Sequence, residues 1–179
     1  MNDFWIILIT VIAAVNPAAI TLSAEERVRS STLVGAVALA AGLLLVAVLS
    51  APTLIDWLAV APESFRTGAG IVMLIQGCLM TANPTWSSPP TDHPSKGPIP
   101  LGWPVMANAA AIVGVMTFAV DGPDGRVLVA AGIALAVGAA AASLPGSHST
   151  PLLAGAGRLA GALLVIMAVG LIVSGVRDV

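Results

Sequence analysis

Two short polar stretches interrupt an otherwise apolar chain: Asn16-Pro17-Ala18-Ala19-Ile20 and Asn108-Ala109-Ala110-Ala111-Ile112. A primary amide brings two donor hydrogens and an acceptor oxygen, and a proline removes one backbone donor from the helix around it. Inside an apolar segment, Asn16-Pro17 is therefore expected to kink or break a helix and expose peptide dipole ends near its middle. Such a break can hold an anion or a cation away from lipid, with the Asn16 amide as a further ligand. The plainer use is a kinked helix whose asparagine bonds across to a neighbouring helix. Both readings stay open on these residues alone.

Asn108 follows Asn16 at the same distance as Arg158 follows Arg66 (108 − 16 = 158 − 66 = 92). One register that aligns a polar motif and a lone arginine predicts a duplicated unit, with Asn108 approaching Asn16 across a pseudo-two-fold axis. The copies differ, because Ala109 stands where the first half has Pro17. A break in the second half is then not required, and Pro104 is the alternative site of a kink. Arg66 and Arg158 each precede a Gly/Ala-rich run. They either snorkel to the interface or face a cavity and attract an anionic substrate. The candidate substrate-binding residues are Asn16, Pro17, Asn108, Arg66 and Arg158. Gln76 has Ala168 as its counterpart and is expected to serve packing.

The remaining side chains offer little chemistry. No Asp, Glu, His, Lys or Arg lies in the middle of an apolar segment, so the usual marks of a proton relay or an intramembrane catalytic site are missing. Neither a nucleophile with its base nor a metal cluster is legible, so no enzyme, cofactor or metal is expected. Asp92 and His93 are adjacent in a loop, but two ligands make no metal site. Cys78 is the only cysteine, which excludes an internal disulfide.

The elements that must position these groups are helices in lipid. The chain has 179 residues, 58% hydrophobic and only 9% charged, whereas soluble domains carry about 25% charged residues. Six apolar runs can be read: Phe4–Leu22, Thr32–Ile55, Phe65–Ala82, Leu101–Val120, Val127–Leu144 and Leu159–Val176. Each approaches the roughly 20 residues that a helix needs to cross a bilayer, and open sheets cannot do so. The expected fold is an all-α membrane protein of six transmembrane helices. Three spans per half would make the second half enter from the opposite side, giving two inverted three-helix repeats.

Residues 83–100 divide the halves and hold six prolines, the composition of an extended linker. The expected units are residues 1–82, the linker 83–100 and residues 101–179. The seven Phe and Trp residues lie near segment ends, as in an interfacial belt. Met1-Asn2-Asp3 lacks the basic start of a signal peptide, so the first segment is expected to be retained. With the N-terminus outside, Arg27, Arg29, Lys96 and Arg158 fall inside, against Arg66, Arg126 and Arg177 outside. That bias favours N-out and C-out. Gly35, Gly42, Gly132, Gly138, Gly157 and Gly161 read as helix-packing residues, a pattern that also permits a homo-oligomer. The expected partners are the lipid bilayer and a small-molecule solute, with no nucleic acid.

Several of these stretches together resemble the MarC family of bacterial inner-membrane proteins. They are Asn16-Pro17 followed by Ser23-Ala24-Glu25-Glu26-Arg27, the run Phe65-Arg66-Thr67-Gly68-Ala69-Gly70-Ile71, Pro100-Leu101-Gly102-Trp103-Pro104, and Arg158-Leu159-Ala160-Gly161. The family pattern has a glycine where Ala19 stands, and a Gly-Pro-Gly-Ala turn near Asn108–Ala111, so the chain looks like a divergent member. The resemblance implies six helices and, through the LysE-like exporters with which the family is grouped, export of a small solute from the bacterial cell. The alternative is a non-transporting scaffold or envelope-stress component that binds a protein or lipid.

Overall fold

The computed structural model describes residues 3–23, 30–84, 101–122, 124–143 and 150–177. The Glu25–Arg29 turn, Asp92, His93, Lys96 with most of the proline-rich linker, and the 144–149 connector lie outside the described residues. Within them the chain is all-helical: α1 (Asp3–Val15), α2 (Pro17–Ser23), α3 (Ser30–Leu58), α4 (Pro62–Ala82), a short α5 (Leu101–Met106), α6 (Ala109–Asp121), α7 (Asp124–Ser143) and α8 (Thr150–Arg177).

Five stretches are long and apolar enough to cross a membrane: Phe4–Leu22, Ser31–Leu58, Pro62–Ala82, Gly125–Ser143 and Pro151–Arg177. The fourth expected span departs from this pattern. Instead of one helix over Leu101–Val120, α5 and the 13-residue α6 are separated at Ala107-Asn108. Within α5, Trp103 is extended (φ −134°, ψ 129°), the conformation favoured in a residue that precedes proline. Pro104 thus perturbs the chain as expected, but a second interruption follows at Asn108 without any proline there. Helix α8 also starts earlier than its apolar run, so Arg158 lies inside the helix rather than ahead of it.

The first segment is the centre of the bundle. Of its span, 67% is buried against other helices, compared with 22% for α8. Large apolar side chains of α3 (Val34, Val46, Leu49, Trp57) and of α8 (Leu152, Leu159, Ile166, Val173) remain exposed. Water would penalise such faces, whereas lipid solvates them.

The closest packing joins α4 to α8, which run antiparallel. A methyl group on Gly70 would meet Ala168 O at 2.9 Å, one on Gly77 would meet Gly161 O at 2.9 Å, and one on Gly175 would strike Glu63 O at 2.6 Å. Bare glycine lets the two backbones approach, and dispersion is the main attraction available between helices in lipid. Thr67 and Thr81 turn their hydroxyls onto Glu63 O and Gly77 O of their own helix, so the seam buries no unsatisfied hydroxyl. Gly42 and Gly132, expected from sequence to mediate packing, face no atom within 4 Å. Gly138 does pack closely, with Val15 and Ile20 of the first segment.

Candidate functional site

Asn16 ends α1 and starts α2. Its backbone takes the left-handed conformation (φ 49°), which asparagine tolerates better than most residues. Its N–H completes the last turn of α1 by donating to Ile12 O at 3.0 Å. Its carbonyl then accepts from Ala19 N at 3.0 Å, and its Oδ1 accepts from the same N–H at 3.3 Å. Asn16 is therefore the N-cap of α2, and Pro17 occupies the first helical position, where a missing N–H costs nothing. The break expected from Asn-Pro is present, and its cause is local.

One atom remains unaccounted for. Asn16 is 0% exposed, and its Nδ2 is the only buried side-chain nitrogen or oxygen among the described residues without a hydrogen-bond partner. The amide faces α8 at Gly157: a methyl group there would lie 3.7 Å from both Nδ2 and Oδ1 and 2.9 Å from Pro84 Cβ. An unpaired buried donor costs about 1–3 kcal/mol, so this amide is held in place by the caps around it rather than by its nitrogen.

Asn108 is the N-cap of α6, with extended backbone (φ −77°, ψ 171°) and Oδ1 accepting from Ala111 N at 2.9 Å. Its Nδ2 donates across the bundle to Ala14 O at 2.6 Å. That carbonyl belongs to the last turn of α1 and is one of those the break deprives of an intrahelical donor. A single amide thus caps the start of α6 and the end of α1. Gln76 on α4 adds a third link, its Oε1 accepting from Ala110 N at 3.1 Å. Gln76 was expected only to pack, but it is part of the polar cluster. The signal for it was a lone amide in an apolar span, and its missing counterpart at Ala168 disguised it. Thr21, on α2, places its hydroxyl 3.1 Å from Pro17 O and 3.2 Å from Ala141 O, tying the short helix to α7.

The α1 break and the Asn108 cap share one level in the bundle. A 13-residue helix, about 20 Å, separates Asn16 from Asp3 and Asn108 from Asp121. Those outer ends lie on the same face, because Ile6, Ile7, Phe118, Asp121, Arg126 and Val127 line one cavity of about 250 Å³ there. Neither asparagine lines that cavity.

The two candidate arginines stand apart from each other. Arg66 lies on that outer face, where its guanidinium grips Asp121 through Nε–Oδ2 (2.8 Å) and Nη2–Oδ1 (2.6 Å). Arg66 sits near the positive N-terminus of α4 and Asp121 at the negative C-terminus of α6, so each offsets the unfavourable dipole that the other faces. The pair is partly solvated, at 22% and 28% exposure, which keeps its contribution below about 1 kcal/mol. Ten helical positions, about 15 Å, separate Arg66 from Gln76. Arg158 is next to Gly157 and therefore level with Asn16, but it is exposed. The structure thus brings together Asn16, Pro17, Asn108 and Gln76, and places Arg66 elsewhere.

The comparisons with known proteins agree with this architecture. No curated protein and no solved structure matches the chain. The family model described as MarC family integral membrane protein matches residues 1–179. A helical bundle with a broken central span, lipid-suited outer faces and a family match over its whole length has one assignment: the chain belongs to the MarC family of multi-pass integral membrane proteins.

Proposed function

We propose that the chain is a transporter of a small solute in the bacterial inner membrane, with the polar break at Asn16 and Asn108 as its binding site. The observation that carries this reading is the unpaired Nδ2 of Asn16, a buried polar atom with spare capacity inside an apolar bundle. Arg158, level with Asn16 on α8, would serve the approach to the site, while Arg66 would hold the outer face closed through Asp121.

Two inverted three-helix repeats are the architecture that would move such a site between the two sides. The pairing of segments supports it. The first segment packs on α7 as α5 and α6 pack on α3, and the first segment packs on α8 as α6 packs on α4. Exchanging the two halves preserves that pairing, and the antiparallel α4–α8 seam is its own counterpart. Rocking one half against the other would open the site to each side in turn. The basic residues favour both termini outside.

A non-transporting scaffold is the second reading, favoured by the sealing of Asn16 at 0% and Asn108 at 4% exposure. A thermal-shift screen in detergent against amino acids, small anions and common metabolites separates the two. A ligand at about 100 times its dissociation constant stabilises the folded state by about 2.7 kcal/mol. The transport reading expects a stabilising solute whose effect disappears in Asn16→Leu. Stabilisation that survives in Asn16→Leu would remove the site from Asn16, and a screen without any stabilising solute would leave the scaffold.

A further inference from the structure

We infer that the solute is held at Asn16 through one of its own oxygen acceptors, an inference that rests on the transport reading above. The side-chain oxygens at the break are already engaged: Asn16 Oδ1 by Ala19 N, Asn108 Oδ1 by Ala111 N and Gln76 Oε1 by Ala110 N. The Ala14 carbonyl is taken by Asn108 Nδ2. Among the side-chain atoms at the break, the one left unpaired is an amide nitrogen, a group that donates and does not accept. Its assignment is fixed by its partner, since turning the amide over would set an NH2 group against Ala19 N–H.

That unpaired donor calls for an oxygen acceptor on the solute. A hydroxyl, a carbonyl or a carboxylate could each supply the missing acceptor. An uncharged oxygen enters without the desolvation cost of an anion, while a carboxylate would look to Arg158, the nearest guanidinium along α8. The amide abuts the bare Gly157, where a methyl group would lie 3.7 Å from Nδ2 and 2.9 Å from Pro84 Cβ. Asn16 is sealed at 0% exposure, so a solute reaches Nδ2 only when the halves rock apart, and a methyl on Gly157 would then stand beside the amide.

The test uses the full chain in proteoliposomes with three probes: erythritol, lactate and potassium. Swelling reports erythritol and lactate entry, and an encapsulated dye reports potassium. Each is measured for the unaltered chain, Asn16→Leu and Gly157→Ala. The second variant leaves the capping residues untouched, and circular dichroism melting confirms that each is folded. Entry of erythritol or lactate above that of protein-free vesicles, reduced about tenfold in both variants, is the expected result. That factor corresponds to about 1.4 kcal/mol, the worth of one hydrogen bond. Erythritol alone would identify an uncharged acceptor, and lactate alone a carboxylate. Asn16-dependent potassium flux without the other two would overturn the acceptor inference and leave transport standing. No Asn16-dependent flux of any probe would overturn both.

Discussion

The two breaks use the same residue type in opposite ways. Asn16 takes a left-handed backbone, caps the helix that follows and leaves its nitrogen unpaired. Asn108 takes an extended backbone, caps the helix that follows and spends its nitrogen on Ala14 O of the other break. The first break is made by its own sequence, since Pro17 cannot donate and starts a new helix. The second is held from outside, by Ala14 of α1 and Gln76 of α4. One amide is structural glue, and the other retains a capacity that its fold does not use.

That contrast predicts unequal costs. Asn108→Ala should lower stability most, by about 2–3 kcal/mol, because it removes a cap and strands both Ala14 O and Ala111 N. Reversible unfolding in mixed micelles would measure it, and a loss no greater than that of Asn16→Ala would break the comparison. Gln76→Leu should cost about 1 kcal/mol, leaving only Ala110 N–H without its acceptor. Asn16→Ala should cost less than that. It loses a 3.3 Å cap and gains left-handed strain, but it also removes an unsatisfied buried donor. These two variants bracket what an amide contributes to the cluster, and a reversed order would show that Asn16 Nδ2 is satisfied in the folded protein.

The difference between the breaks also explains what could be read from the residues. The helical membrane class follows from composition, and Asn16-Pro17 announces its break within two residues because its causes are local. Asn108 gives no such notice: Ala109 and Ala110 are good helix formers, and the interruption depends on partners 94 and 34 residues away. Gln76 was hidden for the same reason, since its meaning comes from the N-terminus it meets. Glycines posed the complementary problem. Gly161 and Gly132 look alike along the chain, yet a methyl on the first would meet Gly77 O at 2.8 Å and one on the second would meet nothing within 4 Å. Arg66 and Arg158 share a sequence register but not an environment, because among the described residues Arg66 has an aspartate across from it and Arg158 has none.

The smallest expected effect comes from making the second break resemble the first. Ala109 is exposed and opens α6, the position where proline is best tolerated. Asn108 before it already has φ −77° and ψ 171°, the extended backbone that a following proline favours. Ala109→Pro should therefore leave the Asn108 side-chain bonds intact and shift stability by about 0 to +1 kcal/mol, through a less disordered unfolded chain. A matching unfolding midpoint would show that the missing proline is not what separates the two halves. A loss of about 3 kcal/mol, the cost of proline inside a continuous helix, would instead mean that α5 and α6 run through Asn108 in the membrane. The second half would then have no break, and the polar cluster would reduce to Asn16 alone.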